Sequence, residues 1–180
     1  IGRTDAALEG LKAQFKDRTV AKTYHAIVHG EPRFDTEWLT GAIGASPRHR
    51  DRMRVVPEDL VDELLESGEA RTAETRVERM EDFGAAALVA ARPRTGRTHQ
   101  LRVHLQHAGL PIVGDRVYGP GGALKRPLPP GAPRMERPAL HARELSFDHP
   151  RTGERMTFTA ELPADMAGLL DALRGSAKDE

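Results

Sequence analysis

Apolar and polar positions change period several times along the chain, and each change predicts an element. Leu8, Leu11 and Phe15 follow Thr4 and Asp5 at helical spacing, which predicts a helix over residues 5–17. From Val20 to Val28 the period shortens to two. Tyr24, Ala26 and Val28 take one side of a strand and His25, Ile27 and His29 the other, until Gly30, Glu31 and Pro32 end it. Residues 41–56 read as turn-rich and then extended. Leu60, Leu64 and Leu65 predict a short amphipathic helix opened by Pro57 and stopped by Gly68. Strands are expected over 73–81 and 85–91 around a turn at Asp82, Phe83 and Gly84. Further strands are expected near 139–147 and 155–159, and a last helix at 164–173 after Pro163. The Pro- and Gly-rich segment 120–138 reads as a mobile loop too poor in apolar residues to pack.

Composition narrows the classes of function. Hydrophobic residues at 38% and charged residues at 30% of 180 positions suit a globular chain of one domain rather than a disordered one. The absence of cysteine removes disulfides, thiolate chemistry and cysteine-ligated zinc, and is compatible with a reducing compartment. No apolar run approaches the roughly 18 residues of a membrane span, and the first ten residues do not resemble a targeting sequence. The formal net charge of zero would not by itself suggest nucleic acid, but the charges are segregated. Ten acidic residues fall between Glu58 and Asp82, and none between Phe83 and Gly114, where Arg92, Arg94, Arg97, Arg102 and three histidines stand. An anionic partner on that side is implied. Arg48, Arg50, Arg52 and Arg54 recur at every second position, so a strand would turn all four to one face suited to a phosphate backbone.

Chemistry concentrates in residues 94–105. A strand ends near Pro93, Gly96 supplies a turn, and Thr98 is placed to cap a helix that lasts until Gly109. Leu101, Leu105 and Ala108 form its apolar stripe, while His99, Arg102 and Gln106 share another face. A helix start with two arginines nearby is an anion site. Arg102, one turn inside, suits bidentate capture of a carboxylate.

The run Thr95-Gly96-Arg97-Thr98-His99-Gln100-Leu101-Arg102-Val103-His104, with Pro111 to Asp115 and then Tyr118-Gly119, resembles the signature of RluA-type RNA pseudouridine synthases. Lys22 to Gly30 resembles that family's tyrosine motif. Leu140-His141-Ala142, Phe147 to Pro150, Thr152 to Glu154 and Pro163 to Met166 resemble its C-terminal pattern. The resemblance implies an α+β fold, a mixed, largely antiparallel sheet flanked by short helices, with the cleft between the tyrosine strand and the helix at 98–108. It implies an enzyme of RNA modification in the cytoplasm, working without metal, nucleotide or redox cofactor. The substrate would be structured RNA, most closely large-subunit ribosomal RNA, reached by turning a uridine out of its stack. Tyr24 matches the tyrosine that packs on the target base and acts late in proton removal. Arg102 matches the basic residue paired with the catalytic aspartate, and Leu101 its apolar neighbour. Arg97, His99, Arg48, Arg50 and Arg52 are expected to bind substrate, with Lys125, Arg126, Arg134 and Arg137 of the 120–138 loop as further backbone contacts.

The family's aspartate lies in a run of the form Gly-Arg-Leu-Asp, which this sequence lacks. Gly2-Arg3-Thr4-Asp5 is a partial lookalike without the continuation. The expectation is a catalytic domain spanning residues 1–180 but N-terminally incomplete, its nucleophile loop and any S4-like RNA-binding domain lying upstream, and inactive alone. A sheet cut in this way would leave open edges. Two rival readings remain: a non-catalytic RNA-binding module, and a metal site at His99, His104 and His107. The second is disfavoured because His99 lies about 140° around the helix from His104 and no carboxylate is near. The oligomeric state is left open.

Overall fold

The computed structural model describes residues 2, 4–49, 51–120 and 127–176. Seven strands form one sheet in the order β3-β2-β4-β5-β1-β6-β7. Every strand pair among the described residues is antiparallel, so the expected mixed sheet is antiparallel throughout. The edges are β3 (Met53–Val55) and β7 (Arg155–Thr159), both short, which limits the exposed hydrogen-bonding row.

Helix α1 (Asp5–Lys16) starts where the Thr4 hydroxyl accepts the Ala7 N–H at 3.3 Å, and buries none of its residues. Gln14 fastens it to the end of β6 (Leu140–Asp148) by a reciprocal amide pair with the Asp148 backbone, both bonds 2.7 Å. Strand β1 (Ala21–His29) runs between β5 (Ala86–Pro93) and β6, with both faces covered from Ala26 onward.

The start of the 41–56 segment, expected to be turn-rich, is instead the end of β2 (Thr36–Ala45), which pairs with β4 (Ala70–Asp82) from Thr36 to Gly44. Its glycines mark close approach rather than reversal. A Cβ on Gly41 would stand 3.0 Å from a Val55 methyl, and one on Gly44 3.2 Å from the Glu69 carbonyl oxygen. The arginine stripe is also corrected. Register pairs Ala45 with Met53, so residues 46–52 form the turn of a hairpin, closed by Ser46 N–H to Arg52 O at 2.8 Å. Of the three described arginines, Arg48, Arg52 and Arg54, only Arg54 lies in a strand, so they do not share a strand face.

A 3-10 turn (Glu58–Leu60) and α2 (Val61–Glu66) lay Leu60, Val61, Leu64 and Leu65 over Ala42, Val56 and Ala70 as a satellite core. The turn from β4 to β5 is stabilised by the Asp82 carboxylate accepting the Gly84 N–H at 2.8 Å. The main core unites β1, β4 and β5 with α3 (Gln100–His107) and with Met166, Leu169, Leu170 and Leu173 of α4 (Ala164–Ser176). Arg174 of α4 grips Glu81 of β4 with two bonds, 2.8 and 2.6 Å.

The 120–138 segment departs from expectation where it is described. Met135 is buried, and Leu128 and Ala132 pack on the main core, because the segment lies back over residues 112–116 instead of standing in solvent. Residues 121–126, with Lys125 and Arg126, lie outside the described residues.

Candidate active site

Strand register decides which face holds the site. Tyr24 stands opposite Ala91, and Ala91 opposite Val77, so Tyr24 shares a face with Val77 and Thr75. Thr75 is the residue on which α3 is mounted. Gln100 donates from Nε2 to the Thr75 hydroxyl and to the Glu74 carbonyl, both at 3.0 Å, and its Oε1 accepts the Thr95 hydroxyl at 2.8 Å and the Arg97 N–H at 3.0 Å. His104 Nδ1 joins the same Thr75 hydroxyl at 3.0 Å. All four hydrogen-bonding positions of the Gln100 amide are filled, so α3 enters at a fixed angle on the Tyr24 side of the sheet. Burial holds the His104 imidazole at a pKa of about 4, with repulsion from His107 assisting. Of the expected stripe, Leu101 and Leu105 are buried but Ala108, at the helix end, is exposed, and the periodicity missed Gln100 and His104, whose polarity hid their burial.

The helix start also differs from expectation. Thr98 does not cap it. His99 occupies the cap position with φ 55°, in the left-handed region that a non-glycine residue adopts at a cost. Two contacts from its side chain hold it there: Nδ1 meets the Tyr118 hydroxyl at 2.9 Å, and the two rings meet edge to face at 5.5 Å.

Arg102 does grip a carboxylate bidentately, and the carboxylate is in this chain. Nε donates to Asp115 Oδ2 at 2.7 Å and Nη2 to Oδ1 at 2.8 Å. The bidentate grip expected for a carboxylate outside the 180 residues is made here to Asp115, along the Nε–Nη2 edge. Asp115 Oδ1 also accepts the N–H groups of Val117 (3.0 Å) and Tyr118 (2.9 Å), and the carboxylate is wholly buried. Burial alone would raise the Asp115 pKa. The Arg102 hydrogen bonds, the two backbone N–H groups and the guanidinium charge outweigh it and hold the carboxyl below the usual range. The Arg102 pKa is raised, chiefly by the same hydrogen bonds. The guanidinium lies 4.7 Å over the Tyr118 ring, and its Nη1 makes no hydrogen bond among the described residues. That edge remains open to a second acceptor. Asp115 and Tyr118 stand in the motif quoted above, and only tertiary contact assigns them these partners.

The remaining candidates fall into three settings. Tyr24 is half-buried against the main core, beside Ala91 and Ala142, with no hydrogen bond to its hydroxyl among the described residues. Leu101 is buried among core residues. Arg97 donates from Nε to the Thr72 carbonyl at 3.1 Å, and burial followed by repulsion from Arg18 and Arg71 lowers its pKa. Lys22 reaches the same turn, its Nζ 4.0 Å from where a Gly96 Cβ would sit. Sequence reading missed Arg18, Arg71 and Lys22 as companions of Arg97, since they come from three other segments. Among the described residues none of these four cations forms an ion pair.

On the hairpin, Arg48 is exposed, Arg50 lies outside the described residues, and the Nε atoms of Arg52 and Arg54 are buried without partners. Arg134 and Arg137 face Glu136 and Asp165 and are paired rather than free. Asp5 is exposed in the first turn of α1. His99, His104 and His107 do not converge, and no group of three metal-ligating side chains occurs among the described residues. No described helix is long and apolar enough to cross a membrane.

Comparison with known proteins bears on the fold and the family. A family model described as RNA pseudouridylate synthase matches residues 1–107. An uncharacterised RNA pseudouridine synthase of Chlorobaculum parvum is 39% identical over 97% of this chain and 53% of its own length. The ribosomal large subunit pseudouridine synthase D of Zymomonas mobilis is 34% identical over 96% of this chain and 51% of its own. The solved human RNA pseudouridylate synthase domain containing 4 superimposes with a TM-score of 0.73 at 26% identity, covering 95% of this chain and 69% of that one. The chain spans about half the length of the curated relatives it matches. Fold and sequence similarity therefore agree, and the chain belongs to the RNA pseudouridylate synthase family.

Proposed function

We propose that this chain forms the substrate-facing part of a catalytic domain that isomerises uridine to pseudouridine in structured RNA, with large-subunit ribosomal RNA as the target. The observation that carries the reading is Arg102. Asp115 holds the guanidinium along one edge and the Tyr118 ring supports its plane, while Nη1 is left for another carboxylate. An arginine fixed in this way keeps a catalytic carboxylate ionised and aimed. The carboxylate itself comes from outside these 180 residues.

In the reaction the bond from N1 of the base to C1′ of the ribose breaks and a bond from C5 to C1′ forms. N1 gains a proton and C5 loses one, so no redox partner is required. Tyr24 offers a ring for the turned-out base to pack against and a hydroxyl for the late removal of the C5 proton. Leu101 forms part of the apolar wall, and His99 borders the pocket from the start of α3. Arg97 with Arg18, Arg71 and Lys22, and the hairpin arginines Arg48, Arg50 and Arg52, meet the phosphate backbone. The ribosomal target rests on relatives named for the large ribosomal subunit, and it would place the enzyme in the cytoplasm with its substrate.

The test is tritium release from carbon-5-labelled uridine in ribosomal RNA, using the chain extended by its native upstream residues. Tyr24→Phe should lower turnover about a hundredfold or more, the size expected for a lost acid–base group, while leaving the fold intact by circular dichroism. Turnover by the 180 residues alone would refute the external carboxylate. An extended chain that binds RNA but releases no tritium from any uridine RNA would favour a non-catalytic RNA-binding module.

A further inference from the structure

The Tyr118 hydroxyl sits where three segments meet. It accepts the Met53 backbone N–H at 2.7 Å and pairs with His99 Nδ1 at 2.9 Å, while its ring lies under the Arg102 guanidinium. Met53 is the first residue of β3, directly after the arginine turn at 46–52. His99 is the strained residue that starts α3. Tyr118 itself is 6% exposed and anchored by its N–H to Asp115, the partner of Arg102. One oxygen therefore connects the hairpin that carries Arg48 and Arg52 to the segment that carries Arg102.

The hairpin needs such a tie. β3 is an edge strand of three residues, paired to β2 at only three positions. A ribbon this short is marginal by itself. Its contact with α3 is made beyond the sheet, and the Met53 bond is the only side-chain hydrogen bond from that strand to the α3 side among the described residues. With His99 neutral at Nδ1, the Tyr118 O–H donates to the imidazole and its lone pair receives Met53, so both partners are satisfied at once.

We infer that Tyr118 is a positioning residue: it latches the arginine hairpin to the Arg102–Asp115 pair, holding the phosphate-binding arm in register with the catalytic guanidinium. The inference rests on the proposed RNA-modifying function and deepens it. Arginines on a loose hairpin would lose conformational freedom on every binding event, whereas a latched hairpin has lost it beforehand.

The test uses this chain and a fluorescently labelled, uridine-containing RNA hairpin, with affinity measured by anisotropy across a range of potassium chloride. Tyr118→Phe keeps the ring under Arg102 and removes only the hydroxyl. Affinity should fall roughly three- to thirtyfold, as for a lost hydrogen bond that leaves a partner unsatisfied. The slope of log affinity against log salt should become shallower as hairpin arginines leave the phosphates. The double variant R48A/R52A should weaken the wild type more than it weakens Tyr118→Phe, because both changes act on the same arm. In a proton–nitrogen correlation spectrum the Met53 amide should shift and exchange faster, while those of Val117 and Tyr118, held by Asp115, stay in place. That signature separates release of the latch from general unfolding. An unchanged affinity, full additivity with R48A/R52A, or a weaker binder with the wild-type salt slope would overturn the latch and leave the proposed function standing. Absence of salt-dependent RNA binding by the wild type would overturn both.

Discussion

Replacing Asp115 by asparagine probes the pair on which the site depends. The shape of the side chain is preserved. Asparagine can still accept the N–H groups of Val117 and Tyr118 and the Nη2 of Arg102 through Oδ1. Its amide nitrogen then faces Arg102 Nε, donor against donor, in place of a 2.7 Å charge-assisted bond. A guanidinium whose side chain is only 19% exposed also loses its counter-charge. Breaking one side of a buried pair costs about 3–5 kcal/mol, and the remaining exposure of Arg102 favours the lower end, about 3 kcal/mol. For a chain of this size that corresponds to a fall in Tm of about 6–12 °C. Calorimetry and urea titration at pH 7 measure it. Because folding depresses the Asp115 pKa, its contribution is complete above the unfolded value of about 4 and is lost as pH falls through the lower folded value. The gap between wild type and Asp115→Asn should therefore be constant from neutral pH to about pH 4 and close below it. A loss under about 1 kcal/mol at pH 7, or a gap that persists undiminished in strong acid, would refute this account of the pair.

Other perturbations test other parts of the framework. His104 is buried with a pKa of about 4 against about 6.5 unfolded, so its contribution is complete above pH 6.5 and declines as pH falls toward 4. The wild type should lose about 3 kcal/mol over that window relative to His104→Leu, measured by urea titration at each pH; parallel pH profiles would sink the assignment. Gly114 and Gly68 share a φ of 76°, but a Cβ on Gly114 would sit 2.6 Å from Met135 Cβ, whereas Gly68 has open space. Gly114→Ala should cost more than about 3 kcal/mol and Gly68→Ala about 1 kcal/mol, and equal losses in denaturant titrations would contradict the packing described here.

Features encoded within a few neighbouring residues were legible before any coordinates. The alternation of Tyr24 to Val28 defined β1, the Leu8-Leu11-Phe15 spacing defined α1, and Asp82-Phe83-Gly84 marked the turn between β4 and β5. The motif around Arg102 indicated that a carboxylate would be gripped. Features that depend on a distant segment were misread or unseen. Gly41 and Gly44 resemble turn residues until Val55 and Glu69 return against them. The alternating arginines resemble a strand until the register of Ala45 with Met53 leaves Arg48 and Arg52 in a turn. Gln100 and His104 are polar and look exposed, yet are buried where Thr75 and Glu74, 25 and more positions earlier, accept from the Gln100 amide and Thr75 pairs with His104 Nδ1.

What the sequence by itself determined is therefore most of the elements (β2 excepted), the kind of chemistry and the family it points to, because periodicity, turn residues and motif spacing act over one or two turns of chain. The partners of the key side chains were decided only by the tertiary structure. Arg102 reaches Asp115 across 13 positions, and Tyr118 reaches Met53 across 65. The Arg102 sequence specifies a bidentate donor, but only the folded chain can bring one particular carboxylate to it.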